Sequence, residues 1–171
     1  MKLLAVSCWL LVVSAAVCGC ATDYSWRSSV PADARTVTVP TFRNESNVSE
    51  VGALASRQLL REFQREGTFK VRTSGEAAIE VQGVIKSVSP AMSAYNRRAG
   101  GRVAAYDLSA TAEISVIDKR TRKVLVDNRK YVANATFTAG QDRTTAVRDA
   151  SGRLMDDLAQ QVVDDILNLK W

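Results

Sequence analysis

Hydrophobic and polar positions repeat along this chain with two periods, and the switches between them mark out its elements. Residues 35–40, Arg-Thr-Val-Thr-Val-Pro, alternate and are rich in β-branched side chains. They predict a strand that Pro40 stops, because proline cannot donate to a ladder. Residues 41–47 read as a turn-rich connection. Asn47, with Glu50 three positions on, has the spacing of a capping box and predicts a helix from near Val48. Val51, Leu54, Ala55, Leu59 and Phe63 then recur at steps of three and four, while Arg57, Arg61, Glu62 and Arg65 fall on other faces. One face is expected to pack. The narrow stripe and its intermixed acids argue against a membrane-surface helix. Gly67 suits the C-terminal stop.

The period then returns to two. Residues 69–72 predict a short strand and 73–76 a turn. From Ile79, the side chains of Ile79, Val81 and Ile85 face one way, and Glu80, Gln82 and Lys86 the other. Gly83 breaks the inner row, which predicts a bulge or the close approach of a helix. Residues 89–101 lose periodicity and contain Pro90, Arg97, Arg98 and Gly100-Gly101, the composition of a mobile connection. The longest strand signal covers 103–117. Tyr106, Leu108, Ala110, Ala112, Ile114 and Val116 lie on one side, opposite Asp107, Ser109, Thr111, Glu113 and Ser115. A charged turn over 118–123 leads to a return strand over 124–137. After a loop at 138–143, a helix is expected from about Thr145 to Leu169. Val147, Ala150, Leu154, Leu158, Val162, Ile166 and Leu169 form its stripe, with Asp156, Asp157, Asp164 and Asp165 on the wet face. Gly152 interrupts that helix and suggests close packing.

This order predicts an α+β fold: a two-layer sandwich of a mostly antiparallel four- to five-stranded sheet with two helices on one face. The other face, with Glu80, Gln82, Lys86, Ser109, Thr111 and Glu113, would be polar, either simply hydrated or a docking surface.

The N-terminus changes the picture. Lys2 precedes fifteen uncharged residues, 3–17, and then Val17-Cys-Gly-Cys20. This is the anatomy of a secretory signal, too short for a comfortable membrane span. The aliphatic residue three before Cys20 and the glycine just before it resemble the lipobox of bacterial lipoproteins; the alternative is a plain secretory signal with an incidental cysteine. The expected division is a lipoprotein signal peptide over 1–19, a lipid-attached tether over 20–34 and one folded domain over 35–171. Two or more acyl chains on Cys20 would hold the domain at a membrane. Ala21, where enteric inner-membrane lipoproteins carry Asp, leans towards the outer membrane. Tyr24 and Trp26 in the tether could meet an interface or pack on the domain.

Processing before Cys20 lowers the formal charge from +5 to +4, since Lys2 is the one charged residue removed. It also takes away Cys8 and Cys18, and leaves Cys20 to the lipid. With no histidine in the chain, Ser-His-Asp and Cys-His catalysis and His-ligated zinc are excluded. A non-enzymatic protein without cofactor or bound metal is expected. The paired aspartates 156–157 and 164–165 fit a solvated helix face better than a metal site. The three Asn-x-Ser/Thr matches, at Asn44, Asn47 and Asn134, have no force in a bacterial lipoprotein. Nucleic acid is an unsuitable partner for an exported protein of mild, mixed charge.

Two basic clusters could bind phosphate. Arg97, Arg98 and Arg102 precede the longest strand, and Lys119, Arg120, Arg122 and Lys123 follow it. Consecutive turns of a meander lie at opposite ends, so about fifteen residues at ~3.3 Å each would hold the clusters roughly 50 Å apart. They cannot form one site. The first, basic and glycine-containing with no acid, is the better candidate for an anionic partner, because Asp118 dilutes the second.

The ensemble of Cys20, the run Val37-Thr-Val-Pro-Thr-Phe-Arg-Asn44, the helix segment Leu60-Arg-Glu-Phe63, the strand Ala78-Ile-Glu-Val-Gln-Gly-Val-Ile85, the strand over 106–117 and the C-terminal helix resembles the LptE family of lipopolysaccharide-assembly lipoproteins. The resemblance implies an outer-membrane lipoprotein facing the periplasm, which plugs and helps assemble an LptD-type β-barrel and binds lipopolysaccharide. It carries over no catalytic residues and assigns no lipid-binding residue by position. The alternative is a periplasm-facing lipoprotein that activates or scaffolds another envelope machine, such as a peptidoglycan synthase. A hydrolase using Ser and Asp alone is the remaining reading.

Overall fold

Three long strands form the body of the sheet. A computed structural model describes residues 30–73, 76–96, 102–138 and 143–171. Strands β4 (Ile79–Asn96), β5 (Arg102–Asp118) and β6 (Lys123–Thr138) follow one another as an antiparallel meander. Ahead of them come β1 (Thr36–Thr38), β2 (Arg43–Asn44) and β3 (Lys70–Val71). The sheet order is β3-β1-β4-β5-β6, with β2 also beside β4, further along than β1. The expected fold class holds, with two refinements: among the described residues the sheet has six strands, and β1 pairs parallel with both β3 and β4. The parallel pairs arise because helix α1 (Val51–Glu66) returns the chain along the sheet between β1 and β3.

The expected inner rows are buried, apart from Tyr106, which is half-buried. Ile79, Val81 and Ile85 of β4, and Leu108, Ala110, Ala112, Ile114 and Val116 of β5, are at most 1 % exposed. Both helices cover this face. In α1, Val51, Ala55, Leu59 and Phe63 are buried, and Gly67 ends the helix at φ 86°, its N–H donating to the Phe63 carbonyl at 3.2 Å. Helix α2 (Arg143–Leu167) buries Ala150, Leu154, Leu158, Val162 and Ile166 as expected. Met155, Ala159 and Val163 are buried too, because the helix packs against α1 as well as β5 and β6. Each large aliphatic side chain buried here contributes about 1.5–3 kcal/mol.

The structure corrects several local expectations, four of them in these elements. Residues 89–96 continue β4 instead of forming a mobile connection. Register shifts between Met92 and Ala94, and between Ala94 and Tyr95, break the two-residue period there without ending the ladder. Among the described residues β4 has a partner only on the β5 side beyond Ile85, and an edge position of this kind tolerates Pro90, which cannot donate to a second ladder. Residues 97–101 lie outside the described residues. Asn47 does not cap α1: Glu50 takes that position with φ 63° and no side-chain cap, and the helix starts at Val51. Asn44 orders the approach instead, accepting from the Ser46 N–H at 3.0 Å and donating to the Val48 carbonyl at 2.8 Å.

The third correction concerns Gly83. What approaches it is the ring of Phe42, not a helix: a Cβ built on Gly83 would meet that ring at 2.5 Å. Phe42 is itself held by its N–H, which donates to Ser56 Oγ in α1 at 2.7 Å. A Cβ on Gly52 would stand 2.4 Å from the Phe42 carbonyl oxygen. The loop over 40–42 thus threads between two glycines, one in the helix and one in the sheet. The fourth correction is Asp165, which is not on the wet face. It accepts from Arg129 at 2.6 Å and from the Tyr131 hydroxyl at 2.5 Å, joining α2 to β6. Burial, then the bond to Asp165, pushes the Tyr131 phenol well above its usual value, so it remains the donor.

Among the described residues, no helix is long and apolar enough to cross a membrane, and no cluster of three or more His, Cys, Asp or Glu side chains could hold a metal.

Candidate functional site: the sheet face and its two ends

The register of β5 sets the geometry of the charged positions. Arg102 begins the strand opposite Asn96, and Asp118 ends it opposite Ile79 and Lys123. Sixteen steps separate Arg102 from Asp118, roughly 50 Å of extended chain. Arg97 and Arg98 of the first cluster, like Cys20, lie outside the described residues. The second cluster is partly consumed by internal pairs. Lys119 Nζ stands 3.0 Å from Glu80, and Arg120 pairs with Asp118 at 3.1 Å and with Asp33. Arg122, at φ 55°, and Lys123 are exposed and have no ion pair among the described residues.

Asp118 is the pivot of that turn. It is 4 % exposed and accepts from the backbone N–H groups of Arg120 at 2.9 Å and Thr121 at 3.2 Å. Burial pushes its carboxyl up, but the donors of Thr121 and Arg120 together outweigh it and hold it below the usual range. Sequence reading treated Asp118 only as a charge that dilutes its neighbours; an Asp two and three residues before free turn N–H groups is the signal that could have identified its role.

On the polar face of the sheet the central β5 positions Ser109, Thr111, Glu113 and Ser115 are intermediate in burial, whereas Gln82 and Lys86 of β4 are exposed. Its charges are internally matched. Lys86 bonds Glu45 at 2.5 Å and lies 4.0 Å from Glu113, and Arg43 bonds Glu45 at 2.9 Å. The Glu45 bond raises the Lys86 pKa, and the same bond lowers that of Glu45. Glu80 is lowered by the Gln82 side chain and then by Lys119. A hollow of about 510 Å³ lies over Gly83, walled by Thr41, Gln82, Glu113 and Asn128. These features suit a broad polar contact.

A second hollow, of about 800 Å³, opens between the first turns of α1 and the first half of α2. Val48, Leu54 and Val147 form its apolar part, with Arg57 and Arg148 among its polar residues. Gly152 lines it, and a Cβ there would meet nothing within 4 Å. The expectation that Gly152 marks close packing is therefore wrong. Sequence reading missed this hollow, because it depends on how two helices far apart in the chain align.

Comparison with known proteins adds to this geometry. The family model for LptE, described as lipopolysaccharide-assembly, matches residues 34–166. No curated protein matches the chain. Among solved structures, the chain is similar to a minor lipoprotein from Acinetobacter baumannii, with a TM-score of 0.51 and 14 % identity, over 78 % of this chain and 93 % of that one. The hypothetical protein CT253 from Chlamydia trachomatis has a TM-score of 0.52 at 12 % identity, covering 79 % and 96 % of the two chains. An uncharacterized lipoprotein B from Nitrosomonas europaea has a TM-score of 0.52 at 14 % identity, covering 81 % and 85 %. At such identities these structures speak for the shared fold alone.

Proposed function

The chain belongs to the LptE lipopolysaccharide-assembly family, and from that premise we propose that it is a non-catalytic outer-membrane lipoprotein that plugs an LptD-type β-barrel, assists its assembly and contacts lipopolysaccharide in transit. A role in lipopolysaccharide assembly follows from the family. The signal over 1–19, lipid on Cys20, a tether leading into one domain and a periplasmic face complete the reading. The observation that carries the plug is the polar face of the sheet: its central β5 positions are half-buried, and Lys86 and Lys119 pair with Glu45 and Glu80 across it. Barrel lumens are polar, so such a face can enter one without stranding apolar surface. At roughly 50 Å, β5 is also longer than the ~25 Å apolar band of such a barrel. Arg97, Arg98 and Arg102 are the proposed lipopolysaccharide contacts.

Purification of the full lipidated chain from outer membranes tests the reading. Stoichiometric recovery of an LptD-like barrel is expected. Recovery of a peptidoglycan synthase or another envelope complex, with no barrel, would replace the plug by the scaffold alternative.

A further inference from the structure

The point at which the chain enters its fold orients the whole domain. Val30 is 1 % exposed and Ala34 fully buried. The short 3-10 turn between them, Ala32–Ala34, is pinned on two sides. Asp33 pairs with Arg120 of the 118–123 turn, and Arg35 Nε donates to the Val30 carbonyl at 3.2 Å. The Lys119 N–H donates to the Ala78 carbonyl at 2.8 Å, so the start of β4 lies at the same end. Cys20 stands ten residues before Val30, and ten residues span at most about 36 Å. The far end of the meander, where Asn96 faces Arg102, is roughly 50 Å from the turn. An anchor on Cys20 can therefore reach a leaflet beside the 118–123 turn but not one at the far end.

The surface at that near end has the chemistry of a membrane contact. Arg122 and Lys123 are exposed and lack an ion pair among the described residues, whereas the acids beside them, Asp33 and Asp118, are both engaged by Arg120. Next to them Val124 is 52 % exposed, one of two exposed large hydrophobic side chains among the described residues. It stands opposite half-buried Ile117 on the polar face of the sheet. Free cations beside a small apolar step match a surface of anionic headgroups over acyl chains.

We propose that the β5–β6 turn, through Arg122, Lys123 and Val124, rests on anionic phospholipid headgroups of the leaflet that holds the Cys20 lipid. The opposite end of the sheet is then directed away from that leaflet surface. This rests on the reading of Cys20 as lipidated, and it extends that reading from an attachment to an orientation.

The test tethers the chain from Cys20 onward, through its single thiol, to a maleimide-headgroup lipid in phosphatidylcholine vesicles with or without phosphatidylglycerol. Acetylation of individual lysines is followed by mass spectrometry. Lys123 should react several-fold (about threefold or more) more slowly on phosphatidylglycerol vesicles, with the protection fading as salt rises. Lys130, further along β6 and exposed, should keep its rate. Arg122→Glu combined with Val124→Ser should abolish the protection of Lys123. Equal Lys123 rates on the two vesicles, or equal protection of Lys130, would overturn the proposal. Lipidation is judged separately, by the mass of the N-terminal peptide of membrane-extracted protein. An unmodified Cys20 would remove the anchor reading, while the tethered chain still decides whether the turn is an anionic-lipid surface.

Discussion

Three glycines show how differently one residue type can be used. Gly83 and Gly52 are close-approach sites, and a methyl group at either would strike Phe42, through its ring or its carbonyl oxygen. Gly152 meets nothing, so it only weakens its helix. Gly83→Ala should lower stability by about 1–3 kcal/mol, the usual cost of overpacking, and Phe42→Leu in the same chain should relieve part of it. Gly152→Ala should raise stability, by up to about 1 kcal/mol. Thermal unfolding followed by circular dichroism separates the two; an unchanged midpoint for Gly83→Ala would mean that Phe42 does not occupy its place. In the sequence, Gly83 was legible as an interruption of an apolar row, but not its cause. The ring that fills the gap comes from forty-one residues upstream, held there by Ser56 of a helix.

At the scale of elements, the β5–β6 turn carries the sharpest electrostatic signature. Asp118 is charged and buried, with donors that hold its carboxyl below the usual range. A depressed carboxyl contributes stability that is fully present above the unfolded value of about 3.9, and that is lost as pH falls through the lower folded value. Asp118→Asn should therefore be less stable than the natural chain at neutral pH, and the gap should narrow below about pH 4. Melting curves across that range check it, and a constant gap would show that the charge is not what stabilises the turn. The long strands and both helices were legible because each maintains its period over several turns or pleats. The ends were less so. Strand β4 hides its last eight residues behind bulges and a proline, and α1 hides its start behind an uncapped Glu50. Local deviations erase a periodic signal while the ladder or the packed face persists.

At the scale of the whole molecule, Arg102 begins β5, while Arg122 and Lys123 lie beyond its other end. On the proposed orientation they serve different surfaces: Arg122 and Lys123 the anchoring leaflet, and Arg97, Arg98 and Arg102 the lipopolysaccharide. Replacing those three arginines with Ala should weaken lipopolysaccharide binding, most at low ionic strength, where screening is least. It should leave lipid protection of Lys123 unchanged. Titration with purified lipopolysaccharide at several salt concentrations checks it, and unchanged affinity at every salt would remove that site.

The sequence by itself determined the apolar faces, the element order and the α+β class, because burial imposes a period of two on strands and near 3.6 on helices. Its lack of histidine also restricted the chemistry open to the chain. The tertiary structure alone decided the parallel pairing of the short N-terminal strands, the seat of Phe42 between two glycines and the bond from Tyr131 to Asp165. It also decided which end of the sheet receives the chain from Cys20. Each of these is a contact between residues distant in sequence. Such contacts depend on how completed elements align, and no local pattern of side chains encodes that alignment.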